Sequence, residues 1–111
     1  MIVNVTSKMV KALGYKSISA NDRNEIFEIL RDESRKIDHA IIDFRMPGVD
    51  VVDMVNKIKK LYPNLNVIVS SGYDYQKGDS LFSNIVFDRF LKKPYTLSDL
   101  KETLGYHSEN P

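Results

Sequence analysis

The 111-residue sequence contains no cysteine and no excess of charge of either sign. The lack of cysteine excludes disulfide bonds, thiolate metal sites and a cysteine nucleophile, and it suits the cytoplasmic location that we expect. The 16 basic and 15 acidic side chains give a net charge of +1. This balance offers no electrostatic argument for nucleic acid or an anionic membrane as a partner.

Long apolar segments are also absent. No run approaches the roughly 20 residues that cross a membrane, and polar residues from Asn4 to Lys8 interrupt any signal-peptide core. Apolar residues make up 42% of the chain, which is sufficient for one hydrophobic core. The length is that of one domain, so we expect residues 1–111 to form a single domain.

Hydrophobic periodicity predicts alternating helices and strands. Apolar stripes predict helices over residues 2–13, 22–35, 51–61 and 97–104, with a weak helix around Asp79 to Phe82. Alternation predicts a short strand within residues 15–20, and short apolar runs predict strands within residues 40–43, 66–70 and 86–91. Regular alternation of this kind is typical of an α/β fold, a parallel sheet with helices on both faces.

Polar side chains with complementary chemistry follow three of the predicted strands. Asp43, Ser70 with Ser71, and Lys93 each lie at or just after a strand end, and active sites of parallel sheets lie outside the carboxyl ends of the strands. The carboxylate can act as a nucleophile, the hydroxyl can donate to a phosphoryl oxygen and the ammonium can neutralise phosphoryl charge. The cluster therefore suits phosphoryl transfer, which ordinarily also relies on a divalent cation held by oxygen ligands.

Three motifs together resemble the receiver (CheY-like) domains of bacterial response regulators, which have a flavodoxin-like fold. They are DFRMPG from Asp43, VIVSSGY from Val67 and FLKKPY from Phe90. The resemblance extends from about residue 2 to residue 104. It implies a module of two-component phosphorelay signalling that is not itself an enzyme and whose partner is a histidine kinase or a phosphotransfer protein.

The same resemblance implies a role for each residue of the cluster. Asp43 would be the phosphoacceptor, Ser71 the switch hydroxyl and Phe90 the switch aromatic. Lys93 would bind the phosphoryl group, and its bond to Pro94 would be cis. Mg²⁺ would be the cofactor, bound by Asp43 and by the backbone carbonyl of Arg45.

The sequence departs from the family pattern at its start, because the opening strand and the two acidic residues that end it are not recognisable. Val51 stands where the family often has glycine, and the fourth helical region is short and polar. We therefore expect an N-terminally truncated fold with impaired Mg²⁺ binding. Three buried aliphatic side chains of a lost strand would be worth about 5–9 kcal/mol, against a total domain stability of about 5–15 kcal/mol.

Two arrangements could compensate for the loss. Residues 1–5 could form a substitute strand before a short helix from Thr6 to Leu13, or two chains could pair exposed sheet edges or exchange segments in a homodimer. The apolar stripe that continues back to Ile2 favours the homodimer.

Four functions stay open from the sequence. The chain could be a phosphorylatable receiver, a degenerate receiver that acts only by protein contact or dimerisation, or a fragment of a normal receiver. A flavodoxin-like nucleotide binder is disfavoured, because no loop rich in glycine, serine or threonine follows a first strand.

Overall fold

The computed structural model describes residues 2–3, 7–46, 48–72 and 84–105, and for residues 2–3 it describes the backbone alone. The strands are β1 Ile2–Val3, β2 Ser17–Ile18, β3 His39–Asp43, β4 Asn66–Ser71 and β5 Arg89–Lys92. The helices are α1 Ser7–Ala12, α2 Arg23–Arg31, α3 Val51–Leu61 and α4 Leu97–Leu104. The weak helix predicted around Asp79 to Phe82 lies outside the described residues.

The strands form one parallel sheet in the order β2-β1-β3-β4-β5. Asp43 pairs in register with Ser70, and Ser71 pairs with Lys92. The ends of β3, β4 and β5 therefore lie side by side. The predicted parallel α/β architecture is confirmed.

The N-terminal segment differs from the prediction. Ile2 and Val3 form β1 in the interior of the sheet, paired with β2 on one side and β3 on the other. The predicted helix over residues 2–13 is therefore wrong in its first part, and α1 is reduced to six residues. Pairing with two neighbouring strands outweighs a helical apolar stripe in so short a segment.

The position of the first strand is consequently filled, and the expectation that the chain lacks it is wrong. The substitute-strand arrangement is the one that the structure adopts. The homodimer was favoured as a replacement for a missing strand, and that reason no longer holds. Dimerisation itself stays a prediction.

Side-chain caps define where the longer helices begin. Asp22 accepts a hydrogen bond from the Glu25 N–H at 2.9 Å at the start of α2, and Asp50 caps α3 through the Asp53 N–H. Thr96 and Asp99 form a reciprocal capping box before α4. These caps match the predicted helix starts, although α2 ends at Arg31 rather than near Arg35.

Apolar side chains cover both faces of the sheet. On one face, α2 and α3 pack on a cluster that includes Ile42, Met54 and Val69. On the other face, α1 and α4 pack on a cluster that includes Val10, Ile68 and Leu100. Within the described ranges, no helix has the length and apolarity needed to span a membrane.

Two side chains of α3 hold the segment that leads into β5. The Asn56 side chain donates to the Asn84 carbonyl at 2.7 Å and accepts from the Val86 N–H at 2.8 Å. One helical turn later, Lys59 forms an ion pair with Asp88 at 2.9 Å. The start of β5 is thereby attached to α3 at two points.

Candidate functional site

The ends of β3, β4 and β5 place three of the predicted site residues at one edge of the sheet. Asp43 is the last residue of β3, Ser71 is the last residue of β4, and Lys93 directly follows β5. The Phe44 N–H donates to the Ser70 carbonyl at 2.8 Å, so the chain continues beside β4 immediately after Asp43. The topology thus gathers residues that are far apart in sequence.

Both oxygens of the Asp43 carboxylate have partners. Oδ1 accepts a hydrogen bond from the Arg45 N–H at 2.9 Å. Oδ2 forms an ion pair and a hydrogen bond with Nζ of Lys93. The exposed fractions of the two side chains are 23% for Asp43 and 37% for Lys93, so the pair is within reach of solvent and of a reactant.

The backbone around Lys93 fixes the origin of its side chain. The Lys93 N–H donates to the Ser71 carbonyl at 2.7 Å, which extends the pairing of β4 with β5 by one residue. The Lys93–Pro94 peptide bond is cis, and the chain then enters the Thr96 cap of α4. Lys93 is therefore anchored at its backbone while its ammonium group reaches Asp43.

Ser71 and Phe90, the other two predicted site residues, lie on the neighbouring strands β4 and β5. Ser71 is buried, with an exposed fraction of 2%. Phe90 is partly buried, packs against the α2–α3 side of the core, and lies 6.5 Å from Phe87 between ring centroids. The switch roles of Ser71 and Phe90 stay predictions.

The hydrogen bond from the Arg45 N–H to Asp43 was not predicted from the sequence. An aspartate that accepts from the N–H two residues later is a common turn motif. The only sequence signal would have been an aspartate at the start of a loop containing proline and glycine. The predicted role of Arg45 was different, as a metal ligand through its carbonyl, and that role stays a prediction.

The donor set around Asp43 does not fit a strong Mg²⁺ site. Mg²⁺ prefers several oxygen ligands in octahedral geometry, whereas Asp43 is engaged by an ammonium group and a backbone N–H. Among the residues that the structure describes, no three His, Cys, Asp or Glu side chains form a group able to hold a metal ion. The sequence also contains no acidic residue before Asp22.

Comparison with known proteins agrees with the motifs. The family model for the response regulator receiver domain matches residues 1–105. The chain is 30% identical over 101 residues to a cyclic di-GMP phosphodiesterase of Thermotoga maritima, covering 91% of this chain and 26% of that protein. It is 28% identical over 93 residues to the autoinducer 1 sensor kinase/phosphatase LuxN of Vibrio harveyi, covering 84% of this chain and 11% of that protein.

A solved structure shows the same fold. The receiver domain of a sensor histidine kinase from Pseudomonas aeruginosa, described with a magnesium ion coordinated in its active-site cleft, matches with a TM-score of 0.75 at 19% identity. The match covers 93% of this chain and 92% of that one. By contrast, this chain spans about a quarter or less of the length of the two curated relatives.

Proposed function

This chain belongs to the response regulator receiver domain family, and on that premise we propose that it accepts a phosphoryl group on Asp43 with impaired efficiency. The observation that carries this proposal is the Asp43–Lys93 ion pair at the carboxyl edge of the sheet. It places a carboxylate nucleophile beside an ammonium group that can neutralise the negative charge of an incoming phosphoryl group. The donor would be a phosphohistidine of a histidine kinase or phosphotransfer protein, as expected for a module of two-component signalling.

The proposed transfer exchanges one bond for another. A lone pair of an Asp43 oxygen forms a bond to phosphorus while the bond from phosphorus to the donor imidazole nitrogen breaks. The electrons of that bond return to the imidazole, which takes up a proton and leaves neutral. Asp43 becomes an acyl phosphate, and the charge moves outward from its carboxylate to the phosphoryl oxygens.

Each neighbouring residue has a role that its position supports. Lys93 is anchored through its backbone N–H, so its flexible side chain can shift from the carboxylate to the phosphoryl oxygens. The Ser71 hydroxyl would donate to one of those oxygens. Phe90, which is only partly buried, would move inward when Ser71 is engaged and so alter the surface beside β5.

The specific observation of a single carboxylate in the described part of the site also favours a second candidate. Without further acidic ligands, the chain could act as a receiver that never carries phosphate and signals by protein contact, including contact with a second copy. We place this candidate second because signalling by contact alone gives the Asp43–Lys93 ion pair no functional role. A cytoplasmic location and a single domain over residues 1–111 are part of both proposals.

Exposure to acetyl phosphate, followed by intact-mass measurement, tests the first proposal. We expect the wild-type chain to gain the mass of one phosphoryl group and Asp43→Asn to gain none. Glu102→Gln is the matched control, because Glu102 is an exposed carboxylate on α4 and its loss should leave labelling unchanged. Absence of labelling in the wild type at high donor concentration, with and without Mg²⁺, would select the contact-only receiver.

A further inference from the structure

The carboxyl edge of the sheet carries more positive than negative formal charge. Asp43 is the only acid at the ends of β3, β4 and β5 and in the two residues that follow each of them, counting within the described residues. The same positions contain Arg45, Lys92 and Lys93. By formal charge these positions hold one acidic and three basic residues, a balance that favours an anion such as a phosphoryl group over a divalent cation.

The two acidic residues that follow Asp43 most closely in sequence already form structural contacts. Asp50 accepts the Asp53 N–H at 3.1 Å as the cap of α3. Asp53 forms an ion pair at 2.9 Å with Arg23 on α2. Recruiting either side chain to a metal would break a helix cap or an ion pair between α2 and α3.

Building on the proposed phosphoryl acceptance, we propose that Lys93 takes the place of the divalent cation in this chain and that the Asp43 site works independently of metal. Lys93 supplies a compact positive charge that already contacts Oδ2 of Asp43. The Arg45 N–H adds a fixed dipole at Oδ1. Receiver domains generally use Mg²⁺ in addition to this lysine, so the proposal assigns this chain the lysine alone as the counter-charge.

Metal binding is tested directly by titrating the ¹⁵N-labelled full chain with Mn²⁺ and following the line widths of its backbone amides. We expect the amides of Phe44, Arg45 and Ser71 to broaden no more than those of Asp32 and Glu33, an exposed acidic pair that reports weak surface binding. Saturable broadening centred on Asp43, present in the wild type and lost in Asp43→Asn, would overturn the proposal.

The role of Lys93 has a second readout in the labelling reaction. Acetyl-phosphate labelling should be the same within about twofold in EDTA and in Mg²⁺, since the metal adds no counter-charge to this site. Lys93→Ala should lower the labelling rate about a hundredfold, the order of magnitude for losing one preorganised charge-stabilising group. Lys101→Ala, on the exposed side of α4, is the matched control and should label like the wild type.

The outcomes separate this proposal from the one on which it rests. Strong dependence on Mg²⁺, or full labelling of a folded Lys93→Ala variant, would overturn the substitution of Lys93 for the metal while leaving phosphorylation intact. A wild-type chain that never labels would refute phosphoryl acceptance. The Mn²⁺ titration would then still decide whether Asp43 lies in a metal site.

Discussion

In the described part of the chain, Lys59 and Lys93 each form an ion pair with an aspartate, and the two pairs have different surroundings. The ammonium group of Lys59 donates to the carbonyls of Pro63 and Leu65 as well as to Asp88, and its side chain is 14% exposed. Its three donors are therefore satisfied by three acceptors. Lys93 is more exposed, which suits a cation that changes partner, whereas Lys59 suits a fixed structural contact.

The Lys59 contacts predict a large cost for Lys59→Met, which retains the aliphatic length but removes the charge. The Asp88 carboxylate would keep its bond to the Val67 N–H but lose its cation, and two carbonyls would lose a donor. We expect the free energy of unfolding to fall by about 2–3 kcal/mol. Urea denaturation followed by circular dichroism measures this change.

The adjacent Lys60 provides the control for that substitution. Lys60 is exposed on the same helix, so Lys60→Met should change the free energy of unfolding by less than about 0.5 kcal/mol. Equal losses in the two variants would show that the Lys59 contacts contribute nothing beyond a surface lysine.

The site residues and the structural ion pair were predictable to different degrees. Asp43, Ser71 and Lys93 were placed correctly at one sheet edge because each follows a buried apolar run, and parallel strands align their carboxyl ends. The Lys59–Asp88 pair could not be predicted, because its partners lie 29 residues apart and neither belongs to a recognisable motif. Such contacts depend on how α3 packs against β5, which sequence periodicity does not specify.

Among the elements that the structure describes, β1 is the one that periodicity misassigned. Two residues are too few to show the alternation of a strand, and the helical stripe of Met9 and Leu13 extends formally back to Ile2. Longer elements carried clearer signals: β3 and β4 each contain an uninterrupted run of three apolar residues, and α4 begins at a capping box. The assignment of β1 depends on partners in β2 and β3 that are distant in sequence.

Proline at position 3 tests whether β1 is paired on both sides. Proline has no N–H to donate and is excluded from interior strands, and Val3 pairs in register with both Ile18 and Ala40. We expect Val3→Pro to lower the free energy of unfolding by about 2–3 kcal/mol, measured by thermal or urea denaturation.

A proline at a compatible position controls for the substitution itself. Leu97 is the first residue of α4 and is partly exposed, and the first position of a helix tolerates proline. Leu97→Pro should therefore cost less than about 1 kcal/mol. A Val3→Pro variant as stable as Leu97→Pro would contradict the central position of β1.

At the scale of the molecule, one sheet separates two apolar clusters that a single chain completes. The α2–α3 cluster and the α1–α4 cluster each draw buried residues from the helices and strands of the same chain. Because β1 fills the sheet between β2 and β3, no strand from a second chain is needed for the core. The fold class could be predicted from the alternation of helices and strands. That β1 of the same chain fills the sheet between β2 and β3 could not be predicted.

The completed core predicts that stability does not depend on protein concentration. A dimer required for folding would become more stable as concentration rises, by mass action. We expect the same urea midpoint over a hundredfold range of concentration, about the range needed to reveal such linkage. A midpoint that rises with concentration would show that two chains complete one another, as the exchange of segments requires.

The contacts of α3 with the segment before β5 make the two ends of that strand differ in how their side-chain contacts depend on charge at the site. The segment before its first residue is held by hydrogen bonds and an ion pair with Asn56 and Lys59, neither of which takes part in the proposed phosphoryl transfer. Its far end leads to Lys93, whose ammonium group is held by the charge on Asp43. Because the backbone of β5 stays paired with β4 up to Lys93, a change in the charge of Asp43 would free the Lys93 side chain without displacing the strand, and the expected movement is confined to side chains at this end.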